Sequence, residues 1–489
     1  MFSGARTGKG GFAKLKTVVD QLKSEADSKG IPSLYLDGGD FGEGSSFFFS
    51  DYGVDSLRAL DLLGVDVTVL GNHDYMLGGR ELAHQIKRAN LKSKIISANL
   101  KGKRLLGLNN MIPSYVDYNF DGVRMRILGL STSEIHYQYP LRPMGRIANS
   151  IKSAASLERK AQKDGIDYVV ALTHLGIYKD IELVQKSKFI DLVVGAHSHT
   201  LITSPELIKN ALGKEVPILQ AGAHSLYAGS LLIDLLPEGK SKILQYQIHP
   251  IHEALDEDPI VREFVTKAHK KKETYFNRQW DEVIGYSKIP LSGTVEGMKT
   301  SYRTCWSEHV ARLTRDVARA HLSIQFDEFM GEEIPPGEIT FGDIIDNFPH
   351  FRKWNDEGWK IKKAWIQGYI LKRILMKIAD SSYATTITID GLQFYEESNK
   401  TFRPFHLIND SIHQAYIGEY PLRNTKYYSV AMPSEVPHAL LKTFNILGYV
   451  LFNNLRIIKN SNYWDLIEDY IKDNSPLECL DREIKTGES

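Results

Sequence analysis

Asp40, Asn72, His73, Asp74, His174, His197 and His199 are the residues whose types could do chemistry together. Each lies at the end of an apolar run. SLYLDGGD delivers Asp37 and Asp40, and DVTVLGNHD delivers Asn72, His73 and Asp74. VVALTHLG delivers His174, and LVVGAHSHT delivers His197 and His199. Carboxylate and amide oxygens with neutral imidazole nitrogens are ligands for divalent first-row metals. A single Asp or His at such a place is ordinarily a turn-former or a hydrogen-bonded surface group. Four endings of the same kind point instead to a metal or anion site.

The apolar runs themselves read as buried strands. Open α/β sheets present ligands at the carboxyl ends of their strands, where these residues fall. Gly71 permits the tight turn that follows Leu70. Between the runs come helical patterns. Leu15, Val18, Val19 and Leu22 share one helix face. Val54 to Leu63 reads as a helix closed by Gly64. Glu81 to Ala89 and Ser150 to Lys163 read as two more, and IELVQKSKFI as a fifth. Strands alternating with helices mark a layered α/β domain. VPILQAGAHSLYAGSLLIDLL closes it with two strands, and His224 sits in the turn between them. Alternation along an extended segment would put His197 and His199 on one side. Phe47, Phe48 and Phe49 read as packing under the next helix rather than lining a pocket. His136 reads as a surface histidine.

Composition narrows the class. The chain has 489 residues, with 60 Lys+Arg against 60 Asp+Glu and a hydrophobic share of 42%. Those values fit two or three ordinary globular domains and give no bulk positive charge. A nucleic-acid polymer is therefore not the expected partner. No apolar window is long enough for a spanning helix. GARTGKGGFAKL breaks the Walker phosphate-loop pattern, because Lys9 is followed by Gly10, and it reads as a lead-in to a helix. The two cysteines, Cys305 and Cys479, leave two readings open: a pair in an oxidising compartment, or free thiols.

GGD, GNHD, THLG and GAHSH together resemble the signature blocks of calcineurin-like metallophosphoesterases. Their order and spacing resemble the 5'-nucleotidase/2',3'-cyclic-nucleotide phosphodiesterase family. Gly10, Gly11 and Leu15 resemble that family's GGxxRL block, with Lys14 at the usual arginine. The resemblance implies a four-layer α/β/β/α domain followed by a smaller mixed α+β domain. The composition changes after residue 240, and the charged, helix-compatible run to 276 reads as a linker, so the boundaries are 1–240 for the metallophosphoesterase domain, 241–276 for a helical linker, and 277–489 for a 5'-nucleotidase-like substrate-specificity domain. The resemblance implies hydrolysis of a small phosphorylated substrate, such as a nucleotide, with two divalent ions (Mn, Zn or similar).

Such an ion pair, roughly 3.5–4 Å apart, can neutralise the phosphoryl oxygens and supply the nucleophile. It needs a bridging carboxylate, for which Asp40 is the candidate. By resemblance, Asn72, His174 and His197 complete one site, and His199 joins the other. His73 is expected to contact phosphate and to act as acid rather than ligand. The relatives' orienting aspartate falls here on Met76, so either Asp74 takes its place or the dyad is weakened. Asp37 is expected to be a structural hydrogen-bonding group. His224 stands where the relatives have a small turn residue, and it is a candidate phosphate contact.

The second domain departs from the family pattern. QFDEFMGEEIPPG places Gly331 where the relatives have arginine. FPHFR resembles the PFGN block, with His350 and Arg352 as substrate-contact candidates. The usual base clamp is therefore incomplete, and adenosine-type specificity does not follow. The family also has a strand ending in D-x-H before the GG block, and MFSGARTGK holds neither Asp nor His. The expectation is one ion held tightly through Asp40, Asn72, His174 and His197 and a second held weakly. The N-terminal stretch reads as cytoplasmic, with a periplasmic or secreted location as the alternative if a segment precedes it. Two other functional readings stand beside the nucleotidase-like one: a phosphodiesterase of different specificity, and a member that binds metal or ligand without turnover.

Overall fold

The computed structural model describes residues 9–42, 46–75, 77–133, 144–236, 241–293, 304–327, 330–349, 358–380, 387–398, 400–405, 410–434, 436–437, 455–479 and 485–486. His136, Met76, His350 and Arg352 lie outside them. The chain divides into two compact units, Met1–Asn277 and Arg278–Ser489.

In the first unit, helix α1 (Phe12–Ser28) leads to strand β1 (Leu36–Asp37), helix α2 (Val54–Leu63), strand β2 (Val67–Val69), helix α3 (Gly79–Ala89) and strand β3 (Lys94–Ile96). These three strands pair in parallel in the order β1-β2-β3. Two-residue β4 (Leu100–Lys101) follows. Next come β5 (Tyr115–Phe120), β6 (Val123–Ser131), short β7 (Arg146–Ile147), α4 (Ser150–Lys163), β8 (Tyr168–His174), α5 (Ile177–Lys186) and β9 (Leu192–Val194). Strands β10 (Glu206–Lys209) and β11 (Glu215–Leu219) complete a six-stranded sheet of order β10-β11-β9-β8-β6-β5. Strands β12 (Tyr227–Leu235) and β13 (Ser241–Pro250) form an antiparallel pair, and α6 (Pro259–Phe276) ends the unit.

The layering follows from side-chain alternation. On β8, Tyr168, Val170 and Leu172 meet Val67, Val69 and Ile96 of the three-stranded sheet. Val169 and Ala171 face the other way, toward Ala154 and Ala161 of α4 and Leu183 and Val184 of α5. A strand buried on both faces must be apolar at every position, and β8 nearly is. The second helical layer packs α1, α2, α3 and α6 together through Leu15, Leu57, Leu82 and Ala268. Sheet on sheet, with helices on each outer face, is the four-layer sandwich. Phe47, Phe48 and Phe49 are buried; Phe47 meets Phe12 at 5.4 Å between ring centres, and Phe49 meets Phe276 at 5.8 Å. Those rings sit between α1 and α6.

The stretch 241–276, read from the sequence as a helical linker, holds β13 and α6. Ser241–Pro250 pairs with β12, and Val261 and Ala268 of α6 are buried in the first unit's own core.

The second unit is mixed α+β. Its main sheet orders Ile387–Asp390, Leu322–Phe326, Tyr427–Pro433, Lys360–Gln367 and Arg456–Asn462. The helix Cys305–Ala318 starts where the Thr304 side chain accepts the Ser307 N–H, and it ends at left-handed Arg319. Cys305 is disulfide-bonded to Cys479, with Cα atoms 5.0 Å apart. Of the two readings of the cysteines, the structure has the pair. Among the described residues, no helix is long and apolar enough to cross a membrane.

Candidate metal centre

The site forms where β1, β2, β8 and β9 end. Asp37 closes β1, and its Oδ1 accepts the Thr68 hydroxyl at 2.7 Å and the Gly39 N–H at 2.9 Å. It is the structural group expected of it: it ties β1 to β2 and starts the turn. Gly39 then passes at φ 84, and a Cβ there would stand 2.1 Å from the Val69 carbonyl oxygen. Only glycine fits such an approach. Asp40 follows in the left-handed region, at φ 65. Its Oδ1 accepts the His73 backbone N–H at 2.9 Å. A Cβ on Gly71 would fall 2.0 Å from that same oxygen. The GNHD glycine is thus what leaves space for the GGD carboxylate.

Asp74 is buried and committed to backbone. Its Oδ2 accepts N–H from Gly71 at 2.7 Å and from Asp40 at 3.1 Å, and its Oδ1 accepts from Gly42 at 2.9 Å. It knots the two loops together, a role the sequence reading did not anticipate. Burial and the neighbouring Asp40 charge push its carboxyl up to about 7.

His174 shows most about the centre. Its Nδ1 lies 2.7 Å from the Gly38 carbonyl oxygen, an acceptor only, so Nδ1 carries a proton and donates it. Its Nε2 faces two more oxygens, Asp40 Oδ2 at 3.0 Å and Asn72 Oδ1 at 3.1 Å. Three acceptors surround one imidazole. Either Nε2 is also protonated or a cation lies among the three donor atoms. Burial works against the charged ring, but Asp40 overcomes this and raises the His174 pKa. Burial likewise opposes the Asp40 charge, yet His174 and His73 hold its carboxyl well below the usual range.

The donor types, carboxylate, amide oxygen and imidazole, are those that ligate divalent metal ions. Cis ligands of an octahedral ion, each about 2.1 Å from it, stand about 3.0 Å apart. The oxygen–nitrogen spacings at His174 Nε2 match that figure. His174 and Asn72 are buried, so their alignment is held by packing. The His197 ring lies 5.0 Å from the His174 ring. Burial, and then His174, push the His197 pKa down to about 3, which leaves the neutral ring a metal needs.

His197 and His199 do not share a side by strand alternation. Strand β9 ends at Val194, and both histidines are left-handed, at φ 80 and 54. The turn sends them apart: His197 to His174, and His199 to His224 at 4.9 Å between ring centres. His224 is itself left-handed, at φ 60. The GG segment props its turn, since a Cβ on Gly10 would stand 3.3 Å from the carbonyl oxygens of His224 and Ser225.

The structure therefore gathers Asp40, Asn72, His73, Asp74, His174 and His197 around one centre, with His199 and His224 paired beside it. Among the described residues, no three His, Cys, Asp or Glu side chains alone are grouped to hold a metal. The cradle at Asp40 and His174 is completed by an amide, Asn72. Behind it, buried Asp180 accepts the Thr173 hydroxyl at 2.7 Å, and burial pushes its carboxyl up to about 7. No sequence pattern singled out Asp180; its one signal is a place six residues after His174 on the inner face of a helix.

Residues 7–201 match the family model described as calcineurin-like phosphoesterase. Among curated proteins, Protein 5NUC of Lutzomyia longipalpis is 26% identical over 96% of this chain and 85% of its own length. A snake venom 5'-nucleotidase of Naja atra is also 26% identical, over 61% of this chain and 58% of its own length. The chain thus spans most of the first relative and little more than half of the second. Among solved structures, the 5'-nucleotidase precursor from Thermus thermophilus has a TM-score of 0.77 at 21% identity, covering 96% of this chain and 92% of that one. That likeness is one of fold.

Proposed function

We propose, from the premise that the chain carries a calcineurin-like metallophosphoesterase domain homologous to 5'-nucleotidase/2',3'-cyclic-phosphodiesterase family members, that it is a metal-dependent hydrolase of small phosphate esters. One observation carries the reading: His174 Nε2, Asp40 Oδ2 and Asn72 Oδ1 converge at 3.0–3.1 Å with no proton donor among them but the imidazole.

In this reading, Asp40, Asn72, His174 and His197 hold one divalent ion, and Asp40 with His199 reaches a second. When bound, the metals supply Lewis-acid activation of water and neutralise phosphoryl charge. The chain's own residues do the rest. The Gly38 carbonyl fixes the His174 tautomer, as an outer partner of a ligating imidazole does. Asn72 contributes an oxygen without charge, which keeps the pocket cationic for an anionic substrate. His73 is anchored by its N–H on Asp40 and presents an imidazole beside the cradle, where it can donate a proton to the leaving oxygen. A nucleotide is the substrate class the relatives' names suggest. The departures at Gly331, His350 and Arg352 argue for a broader acceptance than an adenosine-specific pocket. The Cys305–Cys479 bond supports the exported alternative, because disulfides persist in oxidising compartments.

The test is a panel of nucleoside monophosphates, sugar phosphates and aryl phosphates, assayed with Mn²⁺ for the natural chain and Asn72→Ala. Hydrolysis by the natural chain, lost together with bound metal in the variant, is the expected result. An Asn72→Ala protein with unchanged turnover and metal content would overturn the reading.

A further inference from the structure

We propose that the Cys305–Cys479 bond is a thiol-exchange site: an external low-molecular-weight thiolate attacks the Cys479 sulfur, and Cys305 departs as the thiolate. The site lies in the second unit and is independent of the metallophosphoesterase reading.

The two ends of the bond differ. Cys479 is exposed, on the segment that follows the helix Tyr463–Asn474. Cys305 is half-buried and is the first residue of the helix Cys305–Ala318, directly after the capping residue Thr304. Exposure therefore favours approach from the Cys479 side. A thiol at a helix N-terminus sits at the positive end of the helix dipole, which favours its anion. Exchange is faster where the attacked sulfur is accessible and the departing thiol has the lower pKa. Access and leaving-group stability select the same direction of attack.

The surroundings allow the bond to open without unfolding. Other contacts tie the segment 475–479 to the strand Val283–Ser287 and to Lys288. The Ser475 hydroxyl oxygen accepts the Tyr286 N–H at 2.8 Å. The Leu477 N–H donates to the Tyr286 carbonyl at 2.9 Å, and the Leu477 carbonyl accepts the Lys288 N–H at 2.8 Å. Leu477 is buried, and Glu478 pairs with Lys288 at 2.5 Å. His309 stands one turn along the helix from Cys305. Its Nε2 lies 2.6 Å from the Glu478 carbonyl oxygen, and its Nδ1 lies 2.6 Å from the Tyr470 hydroxyl. A carbonyl only accepts, so Nε2 donates and Nδ1 accepts the hydroxyl proton. The residue before Cys479 is thus fastened to the helix that carries Cys305, whether or not the sulfurs are bonded. That keeps the two sulfurs close for re-closure.

In the step itself, the incoming thiolate bonds to the Cys479 sulfur. The sulfur–sulfur bond breaks, and its electron pair leaves with Cys305. The sequence holds two cysteines, so no third thiol of the chain can resolve the adduct. Either the Cys305 thiolate attacks Cys479 and expels the external thiolate, or a second external thiolate removes the first as a small disulfide and leaves both cysteines reduced.

The experiment treats the folded full chain with 2-mercaptoethanol, without denaturant, and quenches at short times with excess iodoacetamide. Peptide mapping by mass spectrometry then locates the adduct. The mercaptoethanol adduct on Cys479, with Cys305 alkylated, should exceed the reverse arrangement by at least about tenfold, with circular dichroism unchanged. In single variants, the pH dependence of alkylation should place the Cys305 thiol of Cys479→Ser below the ordinary value of about 8.5, and the Cys479 thiol of Cys305→Ser near it. The trapping on the natural chain needs neither variant to fold. Adducts shared equally or found mainly on Cys305, or a bond that opens only when urea unfolds the second unit, would overturn the proposal.

Discussion

Replacing Asp180 with Asn should make the protein more stable as pH rises, although Asp180 stands behind the centre and is no ligand. Its carboxyl is buried, with Oδ1 on the Thr173 hydroxyl and Oδ2 without a hydrogen-bond partner in the structure. That Oδ2 is itself buried away from solvent, beside the Gly195 backbone. Burial raises its pKa from 3.8 to about 7. Between those values the folded chain binds a proton that the unfolded chain has released. Stability therefore falls as pH rises through that window, by about 1.4 kcal/mol per pH unit. The shift from 3.8 to about 7 amounts to a loss on the order of 4 kcal/mol, fully developed above pH 7. Asn keeps an oxygen for Thr173 and never ionises. The assay is urea unfolding of chelator-treated natural and Asp180→Asn chains from pH 4 to 8, followed by circular dichroism. The two should be similar near pH 4, and the variant should gain steadily above it. A difference that stays flat across the range would refute the buried-proton argument.

Other perturbations separate roles within the centre. His73→Ala should lower kcat and kcat/KM together by about 10²–10⁴-fold while bound metal stays unchanged, whereas Asp40→Asn should lose metal at both sites. Equal metal loss in the two variants would make His73 a ligand. Gly71→Ala should abolish binding of the first ion, because its Cβ would occupy the position of Asp40 Oδ1; unchanged metal affinity by calorimetry would show that the loop relaxes freely. Cys305→Ser with Cys479→Ser opens a loop of 174 residues and should cost the second unit about 2–5 kcal/mol in denaturant unfolding.

Much of the first unit could be read directly from residue type. Val54–Leu63 ends at Gly64, which takes φ 77 as a terminating glycine should. Ser150–Lys163 begins after Asn149, whose side chain accepts the Lys152 N–H. The strand ends carrying Asp40, Asn72, His174 and His197 converge because parallel strands present their carboxyl ends together. What escaped the sequence reading depends on backbone geometry. Nothing in GAHSH shows that two left-handed residues replace an extended strand and send His197 and His199 to different partners. Nothing in GNHD shows that Asp74 is consumed by three backbone amides. The pairing of Cys305 with Cys479 and the place of residues 241–276 in the first unit likewise depend on contacts distant in sequence.

The central claim is that hydrolysis requires an ion held at Asp40, Asn72 and His174. The most direct measurement follows phosphate release from an aryl phosphate by chelator-stripped full chain as Mn²⁺ is added, with bound metal counted on the same samples. The account predicts no release from stripped protein, and a rate that rises in step with bound metal. Undiminished release from metal-free protein would contradict it.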